Sequence, residues 1–109
     1  MSGTEDATGA LIALHVAFPA AIEDDVVDFC HAHAELISGF TLAVAEGFGE
    51  NSRLHSPAEI VLGRARRRVL TSILPAANVD PVLAALRSRL PSPEIVFWTT
   101  IVTRFGRIA

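Results

Sequence analysis

Apolar residues in this chain fall into four runs of strand length and two stripes of helical spacing. Residues 10–17 (ALIALHVA) form a short apolar run, interrupted by His15 and closed by Pro19. Over residues 21–37 the period changes. Ile22, Val26, Phe29, Cys30, His33 and Ile37 recur at three- and four-residue steps, which predicts a helix with one apolar face. Glu23, Asp24 and Asp25 fall in its first turn, where carboxylates meet the positive end of the helix dipole. Gly39 is the expected stop. Residues 40–46 (FTLAVAE) alternate. Phe40, Leu42 and Val44 point one way and Thr41, Ala43 and Ala45 the other, as in a strand.

Residues 47–63 make a long connection, glycine-rich and polar at first. Within it, Ser56-Pro57-Ala58-Glu59 has the pattern of a capped helical turn. Residues 64–74 (RARRRVLTSIL) predict a third strand, charged at its start and ended by Pro75. Asn78 or Asp80 caps a second helix over about 80–90, with Val82, Leu83, Leu86 and Leu90 as its buried stripe. Pro91 and Pro93 end it. Residues 94–105 (EIVFWTTIVTRF) are β-branched and aromatic, a fourth strand. The order βαββαβ is the ferredoxin-like arrangement, an α+β fold with a four-stranded antiparallel sheet and two helices on one face. The fourth strand is apolar on both sides. Ile95, Phe97 and Ile101 share one face, and Val96, Trp98 and Val102 the other. Two helices cover one face only, so another copy of the chain is the expected cover for the second.

The length of 109 residues suits one domain. Residues 1–9, polar and acidic, are expected to be a disordered tail, and 10–109 the domain. The hydrophobic share is 50%, carried by aliphatic residues, which again favours an oligomer. The net charge is −3 and all nine basic residues are arginine, so binding nucleic acid by overall charge is excluded. Charge is uneven. Glu23, Asp24, Asp25, Asp28 and Glu35 form an acidic stretch, and Arg64, Arg66, Arg67 and Arg68 a basic one. In a strand, Arg64, Arg66 and Arg68 share a face and Arg67 lies opposite, an arrangement suited to ion pairing or solvation. Cys30, the only cysteine, excludes an intramolecular disulfide and a CxxC site. No secretory signal or membrane span is legible, so the expected protein is cytoplasmic and not membrane-embedded.

Gly47-Phe48-Gly49-Glu50-Asn51 resembles the opening of the long loop of PII signalling proteins, where Arg and Gln stand in place of Glu50 and Asn51. That loop joins strands two and three, as here. Residues 56–68 (SPAEIVLGRARRR) and the ending Arg104-Phe105-Gly106-Arg107-Ile108 resemble more closely a PII-like family encoded beside heavy-metal efflux pumps of the resistance-nodulation-division type. The resemblance covers residues 10–108. It implies a homotrimer, a regulator that presents the 47–63 loop to a partner, and a membrane efflux transporter as a candidate partner. Adenine nucleotides bind between subunits in PII proteins, near the loop base. By that resemblance Gly49, Asn51, Arg104 and Arg107 are the ligand-binding candidates, and Gly47, Phe48, Arg53 and His55 the partner-facing ones. Arginine makes bidentate contacts to phosphate, so the chemistry suits an anion. The glycine-rich phosphate loop of nucleotide-binding PII proteins is replaced here by Leu74-Pro75-Ala76-Ala77-Asn78-Val79-Asp80, without glycine or lysine.

The alternative ligand is a divalent metal ion. His55 lies in the long connection with Glu50 and Glu59 to supply oxygen ligands, in a chain then similar to trimeric copper-tolerance proteins of the same fold. Cys30 and His33 share the apolar face of the first helix, where a packed thiol and imidazole are expected instead. His31 and Glu35 are spaced for a surface pair. Catalysis finds no nucleophile beside a base. Acylphosphatases share the element order but need an arginine after the first strand, where Ala17-Phe18-Pro19-Ala20-Ala21 stands. They remain a distant alternative. RNA-recognition modules need stacking aromatics on a central strand, and the third strand has none. The expectation is a binding protein, not an enzyme.

Overall fold

The computed structural model describes residues 10–47 and 65–109. The expected tail at 1–9 lies outside them, as does most of the 47–63 connection. The elements are β1 (Leu11–Pro19), a 3-10 turn (Ala20–Ile22), α1 (Glu23–Ala32), β2 (Thr41–Gly47), β3 (Ala65–Pro75), α2 (Ala76–Arg89) and β4 (Val96–Val102). The sheet runs β2-β3-β1-β4, with every neighbouring pair antiparallel. Each βαβ unit thus spans a strand from the other unit, the ferredoxin-like topology expected from the sequence.

Alternation sorts each strand into two faces. Leu14, Val16 and Phe18 of β1 and Leu70 and Leu74 of β3 turn to the helices and are buried. Val26, Phe29 and Cys30 of α1 and Val82, Leu83 and Leu86 of α2 meet them. These are the stripes expected from helical spacing. Ser72 is the polar member of the core-facing row, 2% exposed, and its hydroxyl donates to the Gly39 carbonyl at 2.6 Å.

The helix boundaries differ from expectation. The first helix does not run from 21 to 37. It ends at Ala32, and residues 33–36 form turns. His33 ends it by competing for the last carbonyls. Its backbone N–H reaches the carbonyls of Phe29 and Cys30, and its ring Nδ1 bonds Phe29 O at 3.0 Å. The Leu36 and Ile37 amides then turn back onto the His33 carbonyl, which drops Ile37 into the core. Helix α2 begins at Ala76, four residues earlier than expected, directly after Pro75. Neither Asn78 nor Asp80 caps it. The Ala76 amide is bonded to the Ala10 carbonyl instead, and Asn78 Nδ2 donates to Leu36 O at 3.2 Å. Pro81 consequently lies inside the helix rather than at its first position, at the cost of one intrahelical hydrogen bond.

Strand β4 is shorter than 94–105. It stops at Val102, so Arg104 and Arg107 follow the strand rather than lie in it. Its side chains are poorly covered on both faces: Trp98 is 44% exposed, Phe97 46% and Ile101 77%. Among the described residues no helix is long and apolar enough to cross a membrane.

Candidate functional site

Strand direction decides which candidate residues can meet. Val102 at the end of β4 is level with Leu11, and Leu11 with Pro75. Gly47 at the end of β2 is level with Ala65. The two strand ends therefore lie ten residues of β3 apart, about 30 Å along the strands. They also lie on opposite edges of the sheet. Gly47 and Val102, the last residue of β4, thus occupy diagonal corners of the sheet. Arg104 and Arg107 are exposed. Phe48, Gly49, Glu50, Asn51, Arg53, His55 and Glu59 lie outside the described residues. Of the ligand candidates, only Arg104 and Arg107 are among the described residues.

The basic stretch divides as alternation requires. Arg68 turns to the helix side and pairs with Glu23 of α1 at 2.7 Å. Arg66 is level with Glu46. Arg67 takes the opposite face, is only 8% exposed, and donates from Nη2 to the Glu94 carbonyl at 2.7 Å. Arg67 therefore fixes the turn before β4 to β3, and its planar guanidinium suits a carbonyl acceptor at short range.

Cys30 is a packed thiol, as expected. Burial pushes its pKa up to about 11, away from the reactive thiolate. The His33 ring packs on Phe29 with centroids 4.4 Å apart. Its Nδ1 faces a carbonyl, which only accepts, so Nδ1 carries the proton. The expected His31–Glu35 helical pair does not form because the helix ends at Ala32, and His31 lies against Phe40 at 6.0 Å. Among the described residues no group of three or more His, Cys, Asp or Glu side chains is placed to hold a metal ion.

Two grooves meet at the joint between α2 and β4. One, of about 360 Å³, is lined by Pro19, Ala21, Ile22 and Glu94 together with Leu90 and Ile95. Its neighbour, about 140 Å³, shares Leu90, Pro91, Ser92 and Ile95 and adds Arg87, whose guanidinium lies 5.9 Å from the Phe97 ring centre. Neither is lined by a residue expected from the sequence to bind a ligand, a metal or a partner.

The open sheet face holds a cluster that sequence reasoning passed over. His15 Nδ1 is 3.1 Å from Thr71 Oγ1, and Nε2 is 3.0 Å from Thr100 Oγ1. The imidazole stacks on Trp98, centroids 5.1 Å apart and planes within 12°. The signal available was a lone histidine in an apolar strand, out of phase with Leu14 and Val16. Its partners come from 56 and 85 residues away, so only the strand register assembles them.

The DUF3240 family, described as proteins of unknown function, matches residues 8–109. The chain belongs to the DUF3240 family. Among curated proteins none matches its sequence. The structure is similar to a DUF3240 protein of Shewanella baltica, with TM-score 0.72 and 23% identity over 93% of this chain and 99% of that one. It is also similar to CPII of Thiomonas intermedia, a nitrogen regulatory PII-like protein solved with ADP, AMP and bicarbonate. There the TM-score is 0.66, with 16% identity over 91% of this chain and 96% of the other. CutA of Synechococcus elongatus, solved with Bis-Tris, gives 0.67 and 11% identity, covering 86% of this chain and 81% of CutA. At these identities the likeness to CPII and CutA shows a shared PII-like, ferredoxin-like fold.

Proposed function

We propose that this DUF3240 protein is a cytoplasmic PII-like regulator that acts by binding. Its ligand is a small anion of nucleotide type, held between chains of a homotrimer, and the 47–63 connection is what it presents to a partner. The observation that carries this reading is the diagonal placement of Gly47, where the connection begins, and the end of β4 that leads to Arg104 and Arg107. In this reading a ligand held by both lies between two copies. The sparsely covered β4 supports the same assembly, since further copies would bury Trp98 and its neighbours. The nucleotides seen with CPII, at the same fold, favour an adenine nucleotide among anions. Heavy-metal efflux, with a membrane transporter as partner, is the process the family resemblance points to.

A second reading is direct binding of a divalent metal, favoured by the likeness to CutA. It places the ion at His55 with Glu50 and Glu59.

Thermal unfolding of the metal-free protein against ATP, ADP, AMP, Zn²⁺, Cu²⁺ and Co²⁺ separates the two. A ligand at 100 times its Kd stabilises the folded form by about 2.7 kcal/mol, roughly 10 °C in Tm for a chain of this size. A nucleotide-specific rise that is lost in Arg104→Ala/Arg107→Ala supports the first reading. A metal-specific rise lost in His55→Ala supports the second. Sedimentation of the unliganded protein as a monomer counts against both.

A further inference from the structure

The open face of the sheet is nearly free of charge. Within its four strands the charged or titratable side chains on that face are His15 and Arg67. β4 carries none, and Glu46 of β2 shares the helix side with Arg66. Alanine, threonine and aliphatic residues, with Trp98, make up the remainder. His15 sits near the middle, on the second strand in from the β4 edge. We propose that His15 is a proton-operated switch on self-association through this face. The proposal rests on the reading above, in which further copies of the chain cover it.

Protonation leaves the contacts of the ring intact in a separate chain but not beneath a second one. In the neutral ring one nitrogen donates and the other accepts, and a threonine hydroxyl serves either need. On protonation both nitrogens donate, and the hydroxyls of Thr71 and Thr100 rotate to accept at the same 3.1 and 3.0 Å separations. The nearly parallel Trp98 ring offers its π face to the cation. A single exposed chain therefore accommodates the imidazolium without rearrangement. Covering it is another matter. A cation buried beneath an apolar sheet loses its hydration, and among the described residues of the four strands no carboxylate on this face is there to pair with it. Each copy brings the same charge. Arg67 is the other cation, four residue levels along β3 or about 13 Å away, with its guanidinium engaged by the Glu94 carbonyl. Its guanidinium charge adds to the repulsion.

The sign follows from linkage. The separated chain binds more protons than the assembled one, so assembly weakens as pH falls through the imidazole range and recovers as pH rises. The limiting slope is about tenfold in dissociation constant per pH unit for each imidazole released, or about a thousandfold for three.

Sedimentation velocity of the full chain at about pH 8 and about pH 6 tests this, with His15→Gln as the neutral comparison. The expected result is an assembled wild type at the higher pH, dissociation at the lower, and His15→Gln assembled at both. A wild type that stays assembled at the lower pH overturns the switch and leaves the assembly reading standing. Dissociation of His15→Gln in parallel with the wild type assigns the effect to another group and also overturns it. A wild type monomeric at the higher pH defeats the assembly reading itself, and the switch with it. A second measurement needs no variant. Trp98, the only tryptophan, stacks on the ring and reports its protonation by emission. The midpoint of that titration should rise on dilution, and a midpoint independent of concentration refutes the coupling.

Discussion

Replacing Ser72 by alanine isolates one polar decision inside the core. The row Leu70-Ser72-Leu74 of β3 faces the helices, and its two leucines are 3% and 0% exposed. The serine hydroxyl donates to the Gly39 carbonyl at 2.6 Å, which ties the approach to β2 onto β3. Removing the hydroxyl loses a hydrogen bond worth about 1 kcal/mol net. A carbonyl left dry would raise that toward about 3 kcal/mol. Gly39 is exposed, so water can replace the lost donor and the smaller figure should hold. Ser72 also lines an otherwise apolar cavity of about 20 Å³ in the core. The deleted oxygen enlarges it and adds a few tenths of a kcal/mol at roughly 24 cal/mol per Å³. The expected loss is about 1–1.5 kcal/mol, or roughly 5 °C in Tm for a chain of this length. Calorimetry of Ser72→Ala beside the wild type, under conditions where both unfold reversibly, measures it. A loss beyond about 3 kcal/mol would mean that the Gly39 carbonyl is not rescued by water, and an unchanged Tm would mean that the bond contributes nothing.

Other expectations follow from the same geometry. Leu74→Ala, at a fully buried position, should cost about 2–5 kcal/mol in denaturant unfolding, several times the Ser72 effect. Arg67→Met keeps an unbranched apolar stem but loses the charged bond to Glu94 O. It should cost about 1.5–3 kcal/mol and speed amide exchange in the turn before β4. Arg68→Ala breaks a half-exposed ion pair with Glu23 and should change stability by no more than about 1 kcal/mol, less in high salt. Cys30 should resist thiol reagents in the folded protein at neutral pH and react on unfolding. Because folding raises its pKa from 9.0 to about 11, the stability linked to its proton is present below pH 9 and lost as pH climbs toward 11, as alkaline unfolding curves of Cys30→Ala and wild type should show.

The element order was legible because each element has a period of its own. Six segments with spacing near two or 3.6 leave few topologies, and the buried stripes of both helices were read correctly from that spacing. Helix ends were less legible. His33 has a helical position in the pattern, but its ring competes for the Phe29 carbonyl, a choice that periodicity does not encode. Pro75 was expected to end the third strand, with Asn78 or Asp80 capping the helix after it, yet the helix starts directly after Pro75. At that start the Ala76 amide bonds the carbonyl of Ala10, a residue 66 positions earlier in the chain.

The candidate site divides in the same way. Alternation along one strand sufficed to part Arg67 from Arg66 and Arg68, because it is a property of a single segment. The distance between Gly47 and Arg104 was not available from any segment. It depends on the order and direction of four strands, which put Gly47 and the end of β4 just before Arg104 at opposite corners of the sheet. His15 shows the limit most clearly. By itself it is a polar residue in an apolar strand. Pairing of β1 with β3 on one side and β4 on the other brings Thr71, Thr100 and Trp98 to its ring, and hydrogen bonds that short are made only when the register is fixed. Periodicity along the chain determined the elements and their buried faces; the neighbours across the sheet, and with them the chemistry of its open face, came from tertiary pairing alone.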